Sequence, residues 1–118
     1  MLFLFLICHD DSFDAPASMG PDSLAWVQGV ERRGTRLAGG RAEPPRRAAI
    51  VRVRNGERIV QPGPRTIEPE YVAGFDVLEF DTEEEAIEAA AVHPMAVHGT
   101  IEVRPIRPDD DPVQSGSG

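Results

Sequence analysis

The stretch Tyr71–Ile106, YVAGFDVLEF-DTEEEAIEAAAVHP-MAVHGTIEVRPI, decides the fold of this 118-residue chain. Thr82 followed three residues later by Glu85 is a capping box, in which the hydroxyl accepts from a helix N–H and the carboxylate reaches back to the cap. Glu83, Glu84 and Glu85 fill the first turn, where the positive end of the helix dipole favours negative charge, and Pro94 blocks extension past His93. The spacing therefore predicts a helix over 83–93, with Ala86, Ile87, Ala89, Ala90 and His93 along a narrow inward face. FDVLEF before it and GTIEVRPI after it have strand composition. Together they make a strand–helix–strand unit.

Upstream, the same order recurs. Met1–Cys8, MLFLFLIC, is apolar at both parities and reads as a strand buried on both faces. A secretory leader is the poorer reading, because no cationic segment precedes the run and acidic HDD follows it at once; the run is also too short to span a bilayer. An acidic loop, DDSFDAPASMGPDS, leads to a helix over 22–33 with Leu24, Val27 and Val30 inward, Trp26 on a flank and Gly34 as the stop. Thr35–Ala42 reads as a short, Gly-rich strand, either an edge or a place of close backbone approach. AAIVRVR, Asn55-Gly56 and ERIVQ form a hairpin, since Asn-Gly supplies the two positive φ angles of a type I′ turn. RPDDDPVQSGSG, residues 107–118, reads as a disordered tail. The order is β-α-β, a hairpin, then β-α-β. Two right-handed units of this kind predict an α+β, ferredoxin-like βαββαβ antiparallel sheet with an inserted β-hairpin, two helices on one face, and a single domain over 1–106.

That packing leaves one sheet face bare. Phe75 and Val77 are expected on one side of their strand, with Val72, Leu78 and Phe80 on the other, and a second copy is the simplest cover, predicting a homodimer.

Composition excludes several function classes. The net charge is −8, and all twelve basic residues are Arg, which argues against a nucleic-acid surface and removes lysine Schiff-base chemistry. A single Cys, Cys8, gives no intrachain disulfide and no zinc motif, and fits a reducing, cytoplasmic setting. Gly39-Gly40 lacks the surroundings of a phosphate loop, so no cofactor is expected.

The chain resembles the YCII-related family, in particular its DGPF branch, over about residues 1–106. The carriers are the opening strand ending in Asp10-Asp11, LAGGRAEPP, VRVRNGERIV, Gly63-Pro64, Glu70, Gly74-Phe75, HPMA, and Glu102-Val103-Arg104-Pro105. The resemblance implies a dimeric α+β barrel. Two departures bear on activity. Pro62 and Arg65 flank Gly63-Pro64 where the branch carries Asp and Phe, and Ser23 and Arg32 stand where better-understood relatives place a His and an Asp.

The antiparallel topology sets the end of the first strand beside the start of the last, which predicts His9, His93 and His98 gathered at one rim with Asp10, Asp11, Asp14 and Arg65. One reading is acid–base catalysis, a small lyase- or isomerase-type enzyme moving a proton on an anionic small molecule. His9 and His93 would act with Asp10 (or Asp14) orienting, while Arg65, His98 and Trp26 would hold substrate. A second is a non-catalytic ligand-binding or regulatory module. A metal held by two His and an Asp lacks any HxH or HExxH signature. The plainest reading makes His93 a helix terminus, His9 and His98 solvated loop residues, and Trp26 a packing residue.

Overall fold

The first strand, β1 (Leu2–His9), is the axis of the molecule, paired on both sides. In this computed structural model, which describes residues 1–33 and 35–109, β1 lies antiparallel to β5 (Tyr71–Glu79) and to β6 (Thr100–Ile106). The outer edge is β2 (Arg36–Arg41), giving the order β2-β5-β1-β6. This is the ferredoxin-like α+β arrangement that the element order predicts. A separate two-stranded sheet holds β3 (Ala49–Arg54) and β4 (Glu57–Pro62), joined by Asn55-Gly56 at φ 53° and 78° as the turn chemistry requires. A turn of 3-10 helix, Pro45–Arg47, precedes them.

Helices α1 (Met19–Arg32) and α2 (Glu83–Ala91) share one core with the sheet: Phe3, Phe5 and Leu78 from the strands, Trp26, Val30, Ala86 and Ala90 from the helices. The small alanines let α2 sit close to the sheet. The Thr82 hydroxyl accepts from the Glu85 N–H at 3.2 Å, as the capping box predicts.

Four expectations need correction. The first helix begins at Met19, three residues early, because Pro21 is tolerated in a first turn. Its inward face is then Ser23, Trp26, Val27 and Val30; Leu24 points out at 56 % exposure, and Trp26 is buried, not on a flank. The second helix stops at Ala91, and Ile87 faces outward. Pro94, rather than only ending that helix, opens a short third one, α3 (Met95–His98). Val72 joins the side of Phe75, because the β1–β5 register shifts between Ile7 and Cys8 and pairs Cys8 with Val72. The proposed stop at Gly34 and most of the proposed tail, 110–118, lie outside the described residues.

Of the two β2 glycines, Gly39 meets the expectation of close approach, and Gly40 faces open space. A Cβ on Gly39 would lie 2.8 Å from the Phe75 carbonyl oxygen and against the Asp76 carboxylate. Asp76, 3 % exposed, accepts from the Arg36 Nε at 2.8 Å; burial raises its pKa although the guanidinium opposes the shift.

On the face away from the helices, the strand registers align Leu2, Leu4 and Leu6 with Phe75 and Val77 on one side and Glu102, Arg104 and Ile106 on the other. Phe75 is 40 % exposed there. Arg104 and Glu102, two residues apart on the same face of β6, pair at 3.5 Å.

Candidate functional site

The β1 carboxyl end, the β5 start and the loops flanking the hairpin create two clefts separated by Tyr71 and Ala42–Pro44. The larger, about 1030 Å³, opens on the bare sheet face. Its floor is Leu6, Cys8 and Val72, and its walls carry Arg46, Arg47, Arg65 and Arg104 together with Asp11, Glu43, Glu68, Glu70 and Glu102. The smaller, about 490 Å³, is lined by His9, Arg41, Ala42, Glu43, Pro44, Tyr71 and Ala73.

His9 is the one histidine that lines either cleft. Its ring packs on Phe13 (centroids 4.6 Å) and edge-on to Tyr71 (5.1 Å). Its Nδ1 lies 3.0 Å from the Asp10 carbonyl oxygen. A carbonyl can only accept, so Nδ1 carries the proton and the neutral ring keeps its lone pair on Nε2. Asp10 thus orients His9 through its backbone. Its carboxylate is engaged elsewhere, accepting from both the Ser12 hydroxyl and the Ser12 N–H, and these bonds hold its pKa below the usual value.

His98 also lies beside Phe13, ring centroids 6.0 Å apart, so the rim gathers His9 and His98 around one aromatic ring. His93 does not join them. It is 5 % exposed, edge-on to Trp26 at 4.6 Å, and its Nδ1 accepts the Met95 N–H at 2.9 Å. Burial lowers its pKa to about 4, so it is neutral at pH 7. The physical reason is α3: the extra turn separates His93 from β6 and leaves His98, not His93, at the surface. Trp26 is likewise spent on structure, donating its indole N–H to the Ala89 carbonyl at 3.0 Å. Arg65 lines the larger cleft with Asp11 and Cys8, at the expected end of the sheet, but across the Tyr71 wall from His9.

Tyr71 is the residue that sequence reasoning passed over. Its hydroxyl donates to Asp11 Oδ1 at 3.1 Å, and partial desolvation, then that carboxylate, raises its pKa. The chain's single Tyr, opening a strand that must lie beside the end of β1, was the available signal. At the edge of the larger cleft, the Thr100 hydroxyl donates to the lining Glu70 carboxylate at 3.0 Å. Burial, followed by Glu70 and Glu102, raises the Cys8 pKa and keeps the thiol protonated, which disfavours it as a nucleophile. Among the described residues no group of three or more His, Cys, Asp or Glu is placed to hold a metal ion. No helix among them is long and apolar enough to cross a membrane.

Fold and site together define a small ferredoxin-like α+β domain with polar clefts at one end of its sheet. The YCII-related domain profile matches residues 1–109, and the chain belongs to that family. A search of curated proteins finds no match to the chain.

Proposed function

We propose that this protein is a small enzyme of lyase or isomerase type that moves a proton on an anionic small molecule, with His9 as the acid–base group. One observation carries the reading: the Asp10 carbonyl fixes His9 in the Nδ1–H tautomer beside a cleft, which reserves Nε2 for proton exchange. Imidazole is the side chain best suited to such exchange near neutral pH. Arg41 supplies positive charge in the same cleft, and Arg65 does so across the Tyr71 wall. In this reading His98, beside Phe13 on the rim, contacts a part of the substrate that extends outside the cleft. His93 and Trp26 act in this account only by packing behind the site.

A homodimer formed through the bare sheet face belongs to the same reading. The Leu2, Leu4, Leu6, Phe75, Val77 and Ile106 strip needs cover, and a second copy offers an identical strip. Gly63-Pro64, Gly74-Phe75 and HPMA favour the DGPF branch of the family, and a single cysteine with no intrachain partner fits the cytoplasm. The second reading, a non-catalytic ligand-binding module, draws on the mixed charge of the larger cleft, where arginines and carboxylates alternate without a His.

The test is a panel of small mono- and dicarboxylates, with binding followed by thermal shift and C–H exchange in D2O followed by proton NMR. A ligand whose α-proton signal decays with wild type but not with His9→Ala supports the enzyme. Binding without exchange supports the module, and no binding by any panel member counts against both.

A further inference from the structure

The β3–β4 hairpin stands apart from the rest of its own chain. Its strands pair with each other and form no ladder with the four-stranded sheet, and no other strand or helix among the described residues packs substantially on it. The described chain is correspondingly extended, 48 × 38 × 20 Å. A lone two-stranded hairpin in water is marginally stable at best. This one nevertheless presents an apolar patch on one face. The register places Ala49 opposite Pro62, Val51 opposite Val60 and Val53 opposite Arg58, so the apolar patch ends at one arginine near the turn, and the three valines are 63 %, 51 % and 60 % exposed for Val51, Val60 and Val53. A hairpin that served only as a solvated loop would carry polar side chains at these positions.

We propose that this hairpin is a clasp for a second copy of the same chain, with its valine face packed on the partner beside the sheet-to-sheet contact. Two observations choose that occupant over others. The first is position. The base of the arm (Ala48, Pro64) and the bare sheet face (Leu6, Val72) are walls of one cleft, so a molecule that covers the sheet meets the arm, and twofold symmetry makes its own arm meet the first. The second is charge. The arm carries Arg58 on the valine face and Arg52 and Arg54 against Glu57 on the other, whereas the chain as a whole has a net charge of −8, so a second copy is an acidic surface for a basic arm. The same contact covers the open side of the larger cleft, next to the smaller one that holds His9.

The inference rests on the homodimer reading, and the experiment separates the two. Sedimentation velocity is run on wild type, on Val51→Glu/Val60→Glu in the arm, and on Leu4→Glu/Phe75→Glu in the sheet, with circular dichroism confirming that each folds. A wild-type dimer whose Kd rises about tenfold or more in the arm variant supports the clasp. A wild-type dimer weakened by the sheet variant and unchanged in the arm variant overturns the clasp and leaves the homodimer standing. A monomeric wild type overturns both. Hydrogen exchange over residues 49–62 gives an independent readout: amides protected in the dimer and released on dilution support the clasp, and amides that exchange equally fast at both concentrations overturn it.

Discussion

Acidification from pH 7 to pH 4.5 is expected to destabilise the fold chiefly through His93. The folded protein keeps this imidazole neutral down to about pH 4, whereas in the unfolded chain it protonates near 6.5. Below 6.5 the unfolded state therefore binds a proton that the folded state refuses, and stability falls as pH falls. Each pKa unit is worth about 1.4 kcal/mol, so the full gap is about 3 kcal/mol, of which about 2 kcal/mol is lost by pH 4.5. Asp76 acts in the opposite sense: its raised pKa lets the folded state hold a proton more readily than the unfolded chain. A comparison with a variant cancels that contribution. His93→Asn keeps an acceptor for the Met95 N–H while removing the titration, and loses the contact with Trp26 at all pH values. Urea unfolding of both proteins at pH 7 and pH 4.5 is the assay. Wild type should lose about 2 kcal/mol more than the variant over this interval. Equal losses would refute the buried, neutral state of His93.

Three further outcomes follow from the geometry. Gly39→Ala should destabilise by about 3 kcal/mol or prevent folding, since its Cβ presses on Asp76 and on the Phe75 carbonyl and breaks a buried ion pair; a thermal melt within a few degrees of wild type would contradict this. Thr82→Ala should cost about 1 kcal/mol in urea unfolding through loss of the cap, with no effect at the β1 rim. Cys8 should react with iodoacetamide at pH 7 more slowly in the folded protein than after denaturation, because burial and two glutamates keep its thiol protonated; equal rates would show an accessible, ordinary thiol.

The features legible in the sequence were those written in local chemistry. The Thr82 cap, the Asn55-Gly56 turn and the Gly-rich edge at Gly39 each depend on residues close in the chain, and the strand order followed from connectivity once those were placed. Features set by distant partners were not legible. The phase of α1 turns on an indole N–H that finds the Ala89 carbonyl 63 residues away, and Leu24 and Trp26 are equally apolar until that partner is known. The one-residue shift between Ile7 and Cys8 skips Ala73 and moves Val72 across the sheet, and the Gly74 beside it also reads as an ordinary strand position. His93 was placed at the rim by its nearness to β6, and the turn of helix at Met95–His98 that buries it instead begins at a proline, a residue that also reads as a simple stop. His9 stayed where topology put it, but the group that orients it is the Asp10 carbonyl rather than the Asp10 side chain.

The most direct measurement is a long-range proton–nitrogen correlation spectrum of the three histidine rings at pH 7, with and without a bound carboxylate. His93 should show the Nε2–H tautomer, because its Nδ1 accepts from Met95, and His9 the opposite, Nδ1–H tautomer, with its Nε2 resonance moving when the carboxylate binds. A His9 ring protonated on Nε2 in its neutral form, or one whose Nε2 is indifferent to every ligand that binds, would contradict the assignment of His9 as the acid–base group.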